Sequence, residues 1–142
     1  MSNTILHSPM EKFTRMMFSR VIERLAQVVS EENLSFSQVA ALHIIDQAQS
    51  ISIQEISQRL NLSLSATSRL LDDLVKTDFI DRVEDQENRR SKILTLTHRG
   101  QAFLDKLSVE RVKMIRTTAD SLPQKISAKV LNALNLNQRK KS

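Results

Sequence analysis

No cysteine occurs among the 142 residues, which excludes disulfide frameworks, zinc–thiolate sites, thiol nucleophiles and thiol-based redox sensing. Glycine occurs once, at Gly100, so no glycine-rich loop can bring several backbone N–H groups against a phosphate, and nucleotide-dependent catalysis is disfavoured. No stretch approaches the roughly 18 uninterrupted apolar residues of a membrane-spanning helix. Met1 to Glu11 lacks the basic start and apolar run of a signal peptide, and the sequence therefore places the protein in the cytoplasm. The length suits one ordinary domain, or a compact domain with elongated appendages.

What is present is the composition of a folded protein: 40% of the residues are apolar, and 21 Lys plus Arg against 16 Asp plus Glu give a net charge of +5. A basic balance points to nucleic acid, but the surplus is unevenly placed. Residues 61–100 hold seven basic and seven acidic side chains, whereas 101–142 hold nine and three. A case for DNA must rest on position rather than on total charge.

With few glycines and prolines to break the chain, helix boundaries are read from caps and periodicity. Ser8-Pro9-Met10-Glu11 starts a first helix, whose apolar stripe is Phe13, Met17, Val21, Leu25 and Val28. Ser35 with Gln38 forms a capping box between the staple residues Leu34 and Val39, and the second helix runs to about Gln47. Ser52 with Glu55, between Ile51 and Ile56, repeats the device for a short third helix. After Asn61-Leu62, Ser63 caps a fourth helix with Thr67, Leu70, Leu71 and Leu74 inward and Ser65, Ala66, Ser68, Arg69, Asp72, Asp73 and Lys76 outward. Ile80 to Glu84 and Lys92 to Thr97 are β-prone and flank a polar loop. Thr97 then caps a long helix, and Pro123 precedes a last one carrying Ile126, Val130 and Leu134 before a loose tail.

Two short helices joined by a tight turn and followed by a hairpin make a helix-turn-helix with a wing, a mainly α (α+β) fold. In such a unit the second helix enters the major groove. Ser65 and Ser68 can exchange hydrogen bonds with base edges, Ala66 can touch a thymine methyl and Arg69 can make a bidentate contact to guanine. Ser63 and the N–H groups beside it suit a phosphate. Alone, this face would be an ordinary solvated surface; the wing behind it favours the DNA reading. At the wing, Asn88, Arg89, Arg90 and Lys92 cluster near the tip, where a guanidinium could enter the minor groove and the others could meet phosphates. The tip reads equally well as an ordinary charged hairpin end, which Asp85 and Glu87 support.

Here the sequence resembles the MarR family of winged-helix regulators. The resemblance lies in Leu34-Ser35 with Gln38 and Leu42, then Leu60-Asn61-Leu62-Ser63, Ser68-Arg69-Leu70-Leu71-Asp72 and Leu74, the wing signature Asn88-Arg89-Arg90, and Leu94-Thr95-Leu96-Thr97-His98-Arg99-Gly100. It covers residues 34 to 100. Three positions depart from the family pattern. Asn88 stands where the family has Asp, which weakens the buttress of Arg90. Asp78 stands where a helix-ending Gly is usual, a place Asp tolerates in left-handed geometry. Asp73 replaces a commonly basic residue and can pair with Lys76 or Arg69 at helical spacing.

The reading divides the chain into a winged helix-turn-helix DNA-binding domain (34–100) and dimerisation helices (1–33 and 101–142). The apolar stripes of the outer helices imply packing with a second copy, although an internal bundle in a monomer would also cover them. A two-fold homodimer would read a pseudo-palindromic double-stranded DNA operator. The resemblance implies a repressor relieved by a small anionic or aromatic effector; a winged helix used only for protein interaction is the alternative. No cofactor or metal is expected. His43 and Asp46 have a spacing that could hold a metal, but no third ligand is identifiable, and no nucleophile and base can be paired into an enzyme site.

Overall fold

The computed structural model describes residues 9–48, 50–84, 92–124, 128 and 132. The elements are α1 (Pro9–Glu31), α2 (Phe36–Gln47), α3 (Ile53–Leu60), α4 (Leu64–Lys76), β1 (Ile80–Glu84), β2 (Lys92–Leu96) and α5 (His98–Asp120). Contacts group the chain into two compact units, Val28–Leu107 and Met1–Gln27 with Ser108–Ser142. The fold is mainly helical with one two-stranded antiparallel ribbon, as the sequence predicts. Ile126, Val130, Leu134 and the tail lie outside the described residues.

The helices start where polar side chains satisfy the otherwise unpaired N–H groups of the first turn. Both capping boxes form. Gln38 N donates to Ser35 Oγ at 3.2 Å while Ser35 N donates to Gln38 Oε1 at 2.8 Å. Glu55 N donates to Ser52 Oγ at 3.2 Å, and Ser52 returns its N–H and hydroxyl to Glu55 Oε2 at 2.9 and 2.7 Å. The Ser52 backbone N–H, followed by its hydroxyl, holds the Glu55 carboxyl below its ordinary pKa. Thr97 caps α5 in two directions: its Oγ1 accepts from Gly100 N at 3.0 Å and donates to Asp78 O at 2.6 Å. β2 accordingly closes at Leu96, one residue before the sequence-based boundary.

Many helices end on a left-handed residue, most often glycine. This chain uses Asn33, Asn61 and Asp78, with φ of 55°, 54° and 62°. Each sits in the same paired hydrogen-bond arrangement. Asn33 N donates to Ser30 O and Leu34 N to Val29 O; Asn61 N to Gln58 O and Leu62 N to Ser57 O; Asp78 N to Val75 O and Phe79 N to Leu74 O. Short polar side chains, which tolerate this conformation best after glycine, thus end α1, α3 and α4 in a chain almost devoid of glycine.

In the Val28–Leu107 unit, Leu42, Ile56, Leu71, Leu74, Phe79 and Ile80 are fully buried. Phe103 of α5 meets Phe79 edge to face, with ring centroids 5.7 Å apart. The Arg99 guanidinium lies over the Phe79 ring, 4.4 Å from its centre. Arg99 also donates to Thr77 O at 2.8 Å and pairs with Glu32 at 3.1 Å. In the ribbon, Ile80 faces Leu96, Arg82 faces Leu94 and Glu84 faces Lys92. Leu94 is buried, whereas Val83, one residue along on the opposite face, is exposed.

In the other unit, Glu110 accepts from Arg24 at 2.9 Å and from Lys113 at 3.2 Å. The Arg24 hydrogen bond, then that of Lys113, holds the Glu110 carboxyl below its ordinary pKa. Thr118 and Ala119 are fully buried, and the Thr118 hydroxyl has no hydrogen-bond partner among the described residues. Phe18, Ile22, Val109 and Val112 are exposed, Phe18 to 65%. The expected stripe of α1 is half-buried at Phe13, Met17, Val21 and Leu25 and becomes fully buried only at Val28, in the Val28–Leu107 unit.

Candidate nucleic-acid interface

α3, the turn at Asn61 and α4 form the helix-turn-helix. The turn is fixed at both ends, by the left-handed Asn61 and by Ser63, whose Oγ accepts from Ala66 N at 3.2 Å. Ser63 is tied in further by Thr67, a fully buried side chain whose hydroxyl donates to Ser63 O at 2.9 Å. A polar residue therefore sits in the core at no hydrogen-bonding loss. Leu71 and Leu74 complete the inward face, with Leu70 half-buried.

The opposite face presents Ser65, Ala66, Arg69, Asp73 and Lys76 to solvent. Ser68 and Asp72, expected on the same face, are half-buried at its flanks. The Ser65 hydroxyl lies 3.2 Å from that of Ser63, so the two hydroxyls of the first turn share a hydrogen bond. Leu64, not expected from the sequence to matter, is 52% exposed at the helix start and makes this end more apolar than its serines suggest. Among the described residues nothing pairs with the Arg69 guanidinium. Its donors remain available, as a bidentate contact to a base edge requires.

The two carboxylates of α4 are both engaged. Asp73 pairs with Lys76 at 3.9 Å, one of the two partners that helical spacing allowed, and not with Arg69. Asp72 accepts from Arg82 Nη2 at 2.5 Å, a contact between α4 and β1 that sequence reading missed. One signal pointed to it: strand alternation puts Arg82 on the same face of β1 as the buried Ile80, and a charge on a body-facing position needs a partner.

The wing residues Asn88, Arg89 and Arg90 lie outside the described residues. Lys92 opens β2 opposite Glu84, and its side chain is not described.

No group of three His, Cys, Asp or Glu side chains arranged for a metal occurs among the described residues. His43 is half-buried and engaged in an interaction, and His98 is exposed at the start of α5. A cleft of about 190 Å³ is lined by Glu32, Phe79, Arg99, Ala102, Phe103 and Lys106. It is smaller than the usual range for drug-sized ligands, and its cations already face carboxylates, Arg99 toward Glu32 and Lys106 toward Glu31 at 3.0 Å. No described helix is long and apolar enough to cross a membrane.

The profile of the MarR family matches residues 34–92. The HTH-type transcriptional regulator PapX of Escherichia coli is 32% identical over 77 residues, 54% of this chain and 47% of PapX, so the chain spans about half the length of that relative. The transcriptional regulator Tm0710 of Thermotoga maritima superposes with a TM-score of 0.75 at 22% identity, covering 92% of each chain. MepR of Staphylococcus aureus superposes in its DNA complex with a TM-score of 0.73 at 18% identity, covering 90% of this chain and 96% of MepR. Its ethidium-bound form gives a TM-score of 0.66 at 17% identity over 100% and 98% of the two chains.

Proposed function

We propose that the chain, whose residues 34–92 match the MarR-family profile, is a transcription regulator that binds double-stranded DNA by sequence. In this reading α4 lies in the major groove. Ser63 meets the backbone at its first turn, Ser65, Ala66 and Ser68 lie against base edges, and Arg69 reads guanine. Asn88, Arg89, Arg90 and Lys92 approach the neighbouring minor groove and its phosphates.

The observation that carries this reading is the outward face of α4: small side chains, a guanidinium with no partner among the described residues, and two carboxylates that each face a cation, Asp73 toward Lys76 and Asp72 toward Arg82. Without those cations Asp72 and Asp73 would repel phosphate more strongly. The DNA complex of MepR supports the same use of the fold.

The regulator acts as a homodimer on a pseudo-palindromic operator, with residues 34–100 reading DNA and residues 1–33 and 101–142 joining the two copies. The exposed Phe18, Ile22, Val109 and Val112 supply apolar surface for that contact. It is a cytoplasmic repressor that blocks promoter access when bound and is relieved by a small aromatic or anionic effector, a behaviour consistent with ethidium binding by MepR.

Selection of bound fragments from random duplex DNA tests the reading. The expected product is an inverted repeat with half-sites about one helical turn apart. Recovery of no enriched sequence, with a folded protein, would leave the winged helix as a protein-interaction module.

A further inference from the structure

We propose that Asp72 and Arg82 form a strut that sets the wing's angle to the reading helix, a positioning pair rather than a DNA contact. The proposal rests on the DNA-binding reading of α4 and the wing. A two-stranded ribbon is only marginally stable by itself, so its direction is taken from whatever holds its base. Ile80 and Leu94 are buried and hold the proximal half. Arg82 lies directly across from Leu94. Arg82 thus stands on the face of the ribbon that Ile80 and Leu94 bury, and from there its guanidinium grips α4 through Asp72 Oδ1 at 2.5 Å.

Among the described residues this is the one ion pair between α4 and the ribbon. It is about two-fifths exposed on each side, so as a simple stabiliser it contributes little. Its effect is geometric: a rotation where β1 meets α4 changes the direction in which the ribbon runs from that contact.

The strut and a plain charge effect predict different signs. If charge alone mattered, Asp72→Asn would remove a negative group near phosphate and tighten DNA binding, whereas Arg82→Gln would weaken it. A strut is lost equally by either change. Affinities for the selected duplex should be compared among the parent, Asp72→Asn, Arg82→Gln and the double variant at one salt concentration. Each single change should weaken binding by roughly three- to tenfold, and the double variant should be no worse than either single one. Hydroxyl-radical footprints of both single variants should lose protection of the flanking minor groove and keep that of the central major-groove contacts. Because the pair is at the surface, all variants should melt close to the parent.

Tighter or unchanged binding by Asp72→Asn would overturn the strut while leaving the DNA reading intact, as would unchanged flanking protection in both variants. If the parent itself binds no duplex, the DNA reading fails and the strut fails with it.

Discussion

A Cβ placed on Gly100 would lie 2.1 Å from the carbonyl oxygen of Phe79, far inside any contact distance. That carbonyl also accepts from Thr97 N at 3.1 Å, so the first turn of α5 and the segment entering β1 are locked together at this point. The only glycine in the chain is required here for close approach.

Gly100→Ala should accordingly destabilise the fold by about 3 kcal/mol, since a backbone carbonyl cannot rotate away as a side chain can. Urea unfolding of the variant against the parent measures it. A difference within error would mean that α5 can shift at its start.

Thr118→Val should do the reverse. The Thr118 hydroxyl is buried and has no partner among the described residues, so replacing it with a methyl of the same shape removes a desolvation penalty of about 1 kcal/mol. Thermal unfolding should show a higher midpoint in the valine variant.

Acid should weaken the fold through Glu55 and Glu110, both of which have their carboxyl pKa lowered by hydrogen bonds, from Ser52 in one case and from Arg24 and Lys113 in the other. A carboxylate with a lowered folded pKa contributes stability that is complete above its unfolded pKa and is lost as pH falls toward the folded value. Unfolding midpoints taken from neutral to acid pH should fall through the carboxylate range. Glu110→Gln and Glu55→Gln should each flatten that fall.

Arg69→Ala should relax base preference at one position of each half-site, at roughly 1–3 kcal/mol of discrimination. Repeating the duplex selection with the variant reads this directly. An unchanged preference would move Arg69 to the phosphates.

These expectations differ in how far the sequence alone could lead to them. The starts of α2 and α3 were legible because Ser35 with Gln38 and Ser52 with Glu55 act over three residues. The inward face of α4 was legible because Thr67, Leu71 and Leu74 follow helical period. The Asp72–Arg82 pair was not, because it joins a helix to a strand across a turn whose geometry depends on Asp78 adopting a left-handed conformation. Nor was the need for Gly100, which the sequence showed as a missing phosphate loop and as the end of a family motif; its reason is a contact with Phe79, more than twenty positions earlier. The hydroxyl pairing of Ser63 with Ser65 and the exposure of Leu64 likewise depend on rotamers and on where the body ends. Local rules located the reading face; its electrostatics depended on distant partners.

Duplex affinity measured against salt concentration tests the central claim most directly. The residues 61–100 segment has no net charge, yet the account places Arg69 and the wing cations on DNA. It predicts tight binding at low salt that falls linearly on logarithmic axes, with a slope of about −0.9 for each phosphate neutralised and several neutralised in all. Absence of binding at the lowest salt, or an affinity indifferent to salt, would contradict it.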